Sequence, residues 1–171
     1  VPSVARCRNL IAGVVADLPL NLYRKSTGEE LGNPVWVDQP SINQPRSVTM
    51  AWTVDSLLMY GVAYWRVTDV DANNRPSRFE WIQNDRVTLK LNKFNSEVDY
   101  YMVNGERVPD SGVGSLITFQ HLDQGILLRG SRTIKAAADL ELAAAIAAQT
   151  PQPSGYLKNN GADLPDDVIQ G

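Results

Sequence analysis

Two residue types central to site chemistry are almost missing from this 171-residue sequence, which has one cysteine, Cys7, and one histidine, His121. A single cysteine excludes an internal disulfide and any cysteine-rich zinc site. A single histidine excludes His-rich metal cages and the HExxH helix of zinc proteases. Long apolar runs are also lacking. The longest, from Leu57 to Trp65, is interrupted by Gly61 and falls far short of the roughly 20 residues that cross a bilayer. No excess of positive charge exists either: 16 Lys+Arg stand against 19 Asp+Glu, a net charge of −3. Affinity for duplex nucleic acid comes mainly from neutralised phosphates, so a general nucleic-acid coat is disfavoured, although a local basic stripe is compatible with the arithmetic.

What is present can fold. Hydrophobic residues make up 43% and charged residues 20%, which is enough to bury a core in one ordinary domain, or in a small domain plus part of another. The chain begins inside a helical pattern and stops at Asp166-Asp167-Val168-Ile169-Gln170-Gly171, which reads as another helix's first turn. The expectation is therefore a piece of a longer protein.

Val4, Cys7, Ile11, Val14 and Leu18 recur at steps of three and four, the stripe of an amphipathic helix that Pro19 stops. On that stripe Cys7 is expected to be buried as a small hydrophobe. Leu20 to Lys25 alternates like a short strand with Ser26-Thr27-Gly28 as its turn, and residues 32–46, with Pro34, Pro40 and Pro45, read as a long surface loop. Ser47 is placed to cap a mostly apolar helix over residues 48–60 that ends at Gly61 and should be covered on nearly every side.

From Val62 to Phe119 the pattern is β. Residues 63–68 alternate, 71–78 form a turn, and 79–82 and 87–91 are strands. Asn104-Gly105 inside residues 99–108 is a strong hairpin signal, and 116–119 is a last strand. Helix returns after Gly130, with eight alanines among residues 136–148, until Thr150-Pro151-Gln152-Pro153 ends it. Residues 154–158 read as a strand opening, and Leu164-Pro165-Asp166-Asp167 as a helix start. The fold class is α+β: a small antiparallel sheet with flanking helices, followed by a long Ala-rich helix.

Few constellations carry chemistry. His121, Asp123 and Ser131 are the residue types of a hydrolase triad, but no GxSxG elbow accompanies them, and a strand-end histidine with one structural hydrogen bond is the simpler reading. No GxxxxGK[ST] or GxGxxG loop is present, Gly112-Val113-Gly114 precedes a strand rather than a helix, and no cofactor or metal is expected. Arg129, Arg132 and Lys135 form a basic cluster at the entry of the Ala-rich helix, where cations oppose the helix dipole and call for a compensating acid, ligand or subunit. Alanine favours helix intrinsically, and its small side chain also lets helix axes approach closely, as bundles and oligomers require.

In order along nearly the whole chain, these residues resemble the HK97 family of tailed-bacteriophage portal proteins. Ala16-Asp17-Leu18-Pro19-Leu20-Asn21-Leu22-Tyr23 is similar to the family's LPL-x-LY entry, and Gln39-Pro40-Ser41 stands where a P-N element is common. Tyr60-Gly61-Val62-Ala63-Tyr64-Trp65 resembles the G-N-A-Y step, with Val62 in place of asparagine. Trp81 to Val87 lies at the family's L-x-P-x-x-V strand pair without its proline, and Phe119-Gln120-His121 is similar to its strand end. Gly130-Ser131-Arg132-Thr133-Ile134 resembles the G-x-S-P-I helix entry, with arginine where proline is common.

The resemblance implies a non-enzymatic ring subunit, usually one of twelve copies, at a capsid vertex of the virion, assembled in the bacterial host cytoplasm. Double-stranded DNA would pass through the ring during packaging and ejection. Its partners would be further copies of the chain, terminase, head-completion or adaptor proteins and capsid protein, with no membrane. Residues 1–128 would be a wing-like domain, 129–150 a stem-like helix and 151–171 the start of a clip-like region. Arg132 and Lys135 would be candidate contacts to DNA in the channel. Ala136, Ala137, Leu140, Ala144 and Ala147 would pack the helix against other subunits. A head-tail adaptor or other protein-interaction module is the alternative, and a hydrolase around His121 ranks behind both.

Overall fold

The computed structural model describes residues 1–94 and 96–149, so the expected strand opening at 154–158, the helix start at 164–167 and the clip-like region 151–171 lie outside the described residues. The chain runs through α1 (Pro2–Asp17), β1 (Leu22–Tyr23), β2 (Glu30–Leu31), α2 (Val35–Asp38), α3 (Arg46–Tyr60), β3 (Val62–Val70) and β4 (Pro76–Ile82). It continues through β5 (Val87–Leu91), β6 (Val98–Val103), β7 (Glu106–Arg107), β8 (Leu116–Gln120), α4 (Ile126–Arg129) and α5 (Ser131–Gln149). The class is α+β, as expected, but its β structure is divided. One antiparallel sheet has the order β4-β3-β8 and a second the order β5-β6-β7, while β1 and β2 form a separate ribbon.

Strand β3 explains the layering. Its residues alternate between two faces, and both faces are covered. Trp65, Val67 and Phe79 pack on one face, with Met50 of α3 against them. Tyr64, Ile82, Val103 and Val108 pack on the other, joining the two sheets. The register places Tyr64 opposite Ile82 and Trp65 opposite Trp81, which keeps each set on its own side. Asn104 and Gly105 both have positive φ, 53° and 86°, so the expected hairpin turn joins β6 to β7.

Helix α3 lies between α1 and the sheet. Although its sequence is apolar nearly all round, its buried residues are Thr49, Thr53 and Ser56. Thr53 Oγ1 donates to the Thr49 carbonyl at 2.7 Å and accepts the Trp65 indole N–H, also at 2.7 Å. Ser56 Oγ accepts the Trp81 indole N–H at 3.2 Å. The hydroxyl face is thus matched to two tryptophans of the sheet, and the complete apolar cover expected for this helix is not formed: Trp52 is 40% exposed.

Three local expectations are corrected. Ser47 does not cap α3. The helix begins at Arg46 after Pro45, whose carbonyl takes the amides of Val48 and Thr49. The expected loop 32–46 holds α2 and buries Val37 and Pro40, because two guanidinium groups pin it. Arg46 donates to the carbonyls of Val37 and Leu18, and Arg78 donates to that of Gln39. Finally, the apolar stripe of α1 is not its buried face. Ala12 and Ala16 are buried, while Ile11, Val14, Leu18 and Cys7 are exposed. Helix α1 packs against α3, with Ala12 and Ala16 as its buried residues and Arg8 Nε 3.0 Å from Asp55 Oδ1 of α3.

Candidate assembly helix and its base

Helix α5 starts directly after Gly130 and runs 19 residues with no residue fully buried. Among the described residues its half-buried positions, Ile134 and Ala137, lie in the first turns. Beyond them the helix stands clear: Leu140 is 72% exposed and Leu142 61%. Isolated helices are marginal in water, and within proteins most helical stability comes from packing an amphipathic face. Here the alanines supply propensity, while Leu140 and Leu142 stay largely exposed.

At 3.6 residues per turn, Ala136, Leu140, Ala144 and Ala147 share one flank, with Ala137 at its edge. The structure therefore brings the expected packing residues together on one side of one exposed helix. Arg132 and Lys135 fall on the side away from Ile134 and Ala137. Both are exposed, neither forms an ion pair among the described residues, and the first turn of α5 contains no acid to offset them.

The base of the helix is built by residues 121–130. Arg129 Nη1 donates to Asp123 Oδ1 at 2.7 Å, so the third cation of the basic cluster is paired. The Asp123 backbone N–H donates to His121 Nδ1 at 3.0 Å, and Ser131 Oγ donates to the Leu128 carbonyl at 3.2 Å. A triad needs an imidazole Nδ1–H that donates to the carboxylate and a serine directed at the other nitrogen. His121 Nδ1 instead accepts a backbone proton, the Asp123 carboxylate holds an arginine, and the Ser131 hydroxyl is spent on a carbonyl. The three residues are neighbours with separate structural jobs.

Two adjacent hollows flank this base. One, of about 240 Å³, is lined by Val4, Cys7, Ile11, Leu58, Met59 and Ile126. The other, of about 360 Å³, shares Leu58 and Ile126 and extends to His121 and Arg129. Sequence reasoning missed this cleft because its wall combines α1, the end of α3 and the start of α4, which are far apart in the chain. Among the described residues no cluster of His, Cys, Asp and Glu could hold a metal, and no helix is long and apolar enough to cross a membrane.

The class the fold defines is an α+β body that carries a long, largely exposed helix. The family profile for phage portal protein matches residues 2–167. The chain belongs to the phage portal protein family, a structural and non-enzymatic one, in its HK97 branch. It is similar to an HK97 family phage portal protein from Corynebacterium diphtheriae, with 28% identity and a TM-score of 0.68 over 99% of this chain and 55% of that one. It also shares its fold with a chain from the neck of an empty gene transfer agent particle computed with C6 symmetry, at 19% identity and TM-score 0.57. A chain from the native particle's neck, computed with C12 symmetry, gives 16% and 0.58. The matches cover 99% of this chain and 50% and 49% of those chains respectively, so this sequence spans about half the length of the solved structures it resembles. No curated protein matches the chain.

Proposed function

We propose that this chain is the wing-bearing part of a portal ring subunit and that α5 is the helix through which copies pack around a DNA channel. The observation that carries this reading is the exposure of α5, whose Leu140 flank is apolar, lined with alanine and unburied. Under it, residues 1–128 are wing-like, 129–150 stem-like and 151–171 the start of a clip-like region. The ring has twelve copies, sits at a capsid vertex in the virion neck and is assembled in the host cytoplasm. Its partners are terminase before packaging, head-completion or adaptor proteins afterwards, and the capsid shell around it.

Double-stranded DNA passes through such a ring without being gripped. A net charge of −3 favours sliding over binding, since each neutralised phosphate would add salt-dependent affinity. Arg132 and Lys135, without carboxylate partners among the described residues, are sparse point contacts to the passing backbone. Reversing both charges in the full-length protein should leave the ring intact and reduce packaging or ejection. Normal packaging and ejection by that variant would remove the contact role.

A further inference from the structure

We propose that Gly61 and Gly125 form a backbone lock that sets the direction in which α5 leaves the body. Gly61 ends α3 with φ of 77°, and Gly125 opens α4 with φ of 79°. The two segments cross with backbone against backbone. A Cβ on Gly61 would lie 2.6 Å from the Asp123 carbonyl oxygen, and a Cβ on Gly125 would lie 2.5 Å from the Tyr60 carbonyl carbon and 2.6 Å from the Met59 carbonyl oxygen. Neither neighbour is a flexible side chain that could move aside. The left-handed backbone and the close approach both select glycine, and they do so on each side of one contact. The His121 amide donates to the Gly61 carbonyl at 2.9 Å, fastening the same crossing from the β8 side.

From this crossing the connection to α5 is stiff. Amides of Arg129, Gly130 and Ile134 donate to the carbonyls of Gly125, Ile126 and Gly130, so hydrogen bonds continue from α4 across Gly130 into α5. The Asp123–Arg129 pair ties the end of α4 back to the loop. The lock and the short helix together make a lever whose long arm is α5, and Gly61, Gly125, Asp123 and Arg129 are its positioning residues. The consequence for assembly rests on the ring reading: a closed ring requires every copy to present α5 at one angle. The lock itself does not depend on that reading.

The test measures α5 against its own body. In a Cys7→Ser background, spin labels at Glu80→Cys on β4 and Ala143→Cys on α5, diluted with unlabelled chain, should give one narrow distance distribution. Gly125→Ala should shift or broaden that distribution while the near-ultraviolet circular dichroism of the buried tryptophans is kept. An unchanged distribution would overturn the proposal. Should Gly125→Ala cost the body its fold, the doubly labelled chain without that substitution carries the test: a broad or multiple distance distribution between residues 80 and 143 overturns the proposal equally. The intramolecular distance reads the lock whether or not the chain forms rings, so failure of the lock and failure of the ring reading are distinguishable.

Discussion

Two indole N–H groups decide how α3 meets the sheet. Trp65 and Trp81 lie opposite one another on β3 and β4, and each delivers its N–H to a hydroxyl of the helix. Replacing Thr53 by valine keeps the shape and removes an acceptor from a buried donor, which should destabilise the fold by about 1–3 kcal/mol. Thr53→Ser should recover most of that loss. Urea unfolding measures both, and equal midpoints for Thr53→Val and the parent would contradict the pairing. These partners were not legible in the sequence. Period counting marks threonine and serine as breaks in an apolar helix, and the tryptophans that need them lie 12 and 25 positions later. Tyr64 makes a second prediction at this scale. Burial, and after it the neighbouring Tyr101, pushes its phenol above the ordinary value of 10.0. The folded state therefore holds this proton more tightly than the unfolded chain does. Its contribution is complete below the unfolded value and is lost as pH rises through the folded one, so the chain should weaken above about pH 10. Tyr64→Phe should flatten that alkaline limb, as denaturation at stepped pH would show.

Elements set by local chemistry were the legible part of the fold. Gly61 ends α3 with a left-handed residue, and Asn104-Gly105 turns β6 into β7, because each signal lies wholly within a few residues. The two glycines differ in what surrounds them. A Cβ on Gly105 meets nothing within 4 Å, so Gly105→Ala should cost only the backbone strain of about 1–2 kcal/mol. Gly61→Ala adds a collision with the Asp123 backbone and should cost clearly more. Similar midpoints for the two variants would contradict the crossing described here. Elements set by distant contacts are not legible in a local pattern. Helix α2 exists because Arg46 and Arg78 gather a proline-rich stretch, and the stripe of α1 is not its buried face: Ala12 and Ala16 are buried, while Val4, Cys7 and Ile11 line an open hollow beside α3 and α4. The split into two sheets follows from Tyr64 and Trp65 pointing to opposite faces of one strand, which alternation alone cannot assign to particular layers.

For the whole molecule, the candidate site was legible as residues and not as geometry. The alanines of α5 and its basic entry stood out in sequence. Its exposure, and the pairing of Arg129 with Asp123 while Arg132 and Lys135 have no ion pair among the described residues, required the structure. Because the flank is exposed, Leu140→Glu with Ala144→Glu should change the stability of the body by no more than about 0.5 kcal/mol per site. The same pair should abolish assembly if α5 packs copy against copy, which sedimentation of the full-length protein would reveal. Negative-stain imaging of the full-length protein, after its mass in solution is known, tests the ring itself. A ring subunit gives particles with rotational symmetry around a hole wide enough for duplex DNA. A compact monomer or dimer at every concentration would contradict it.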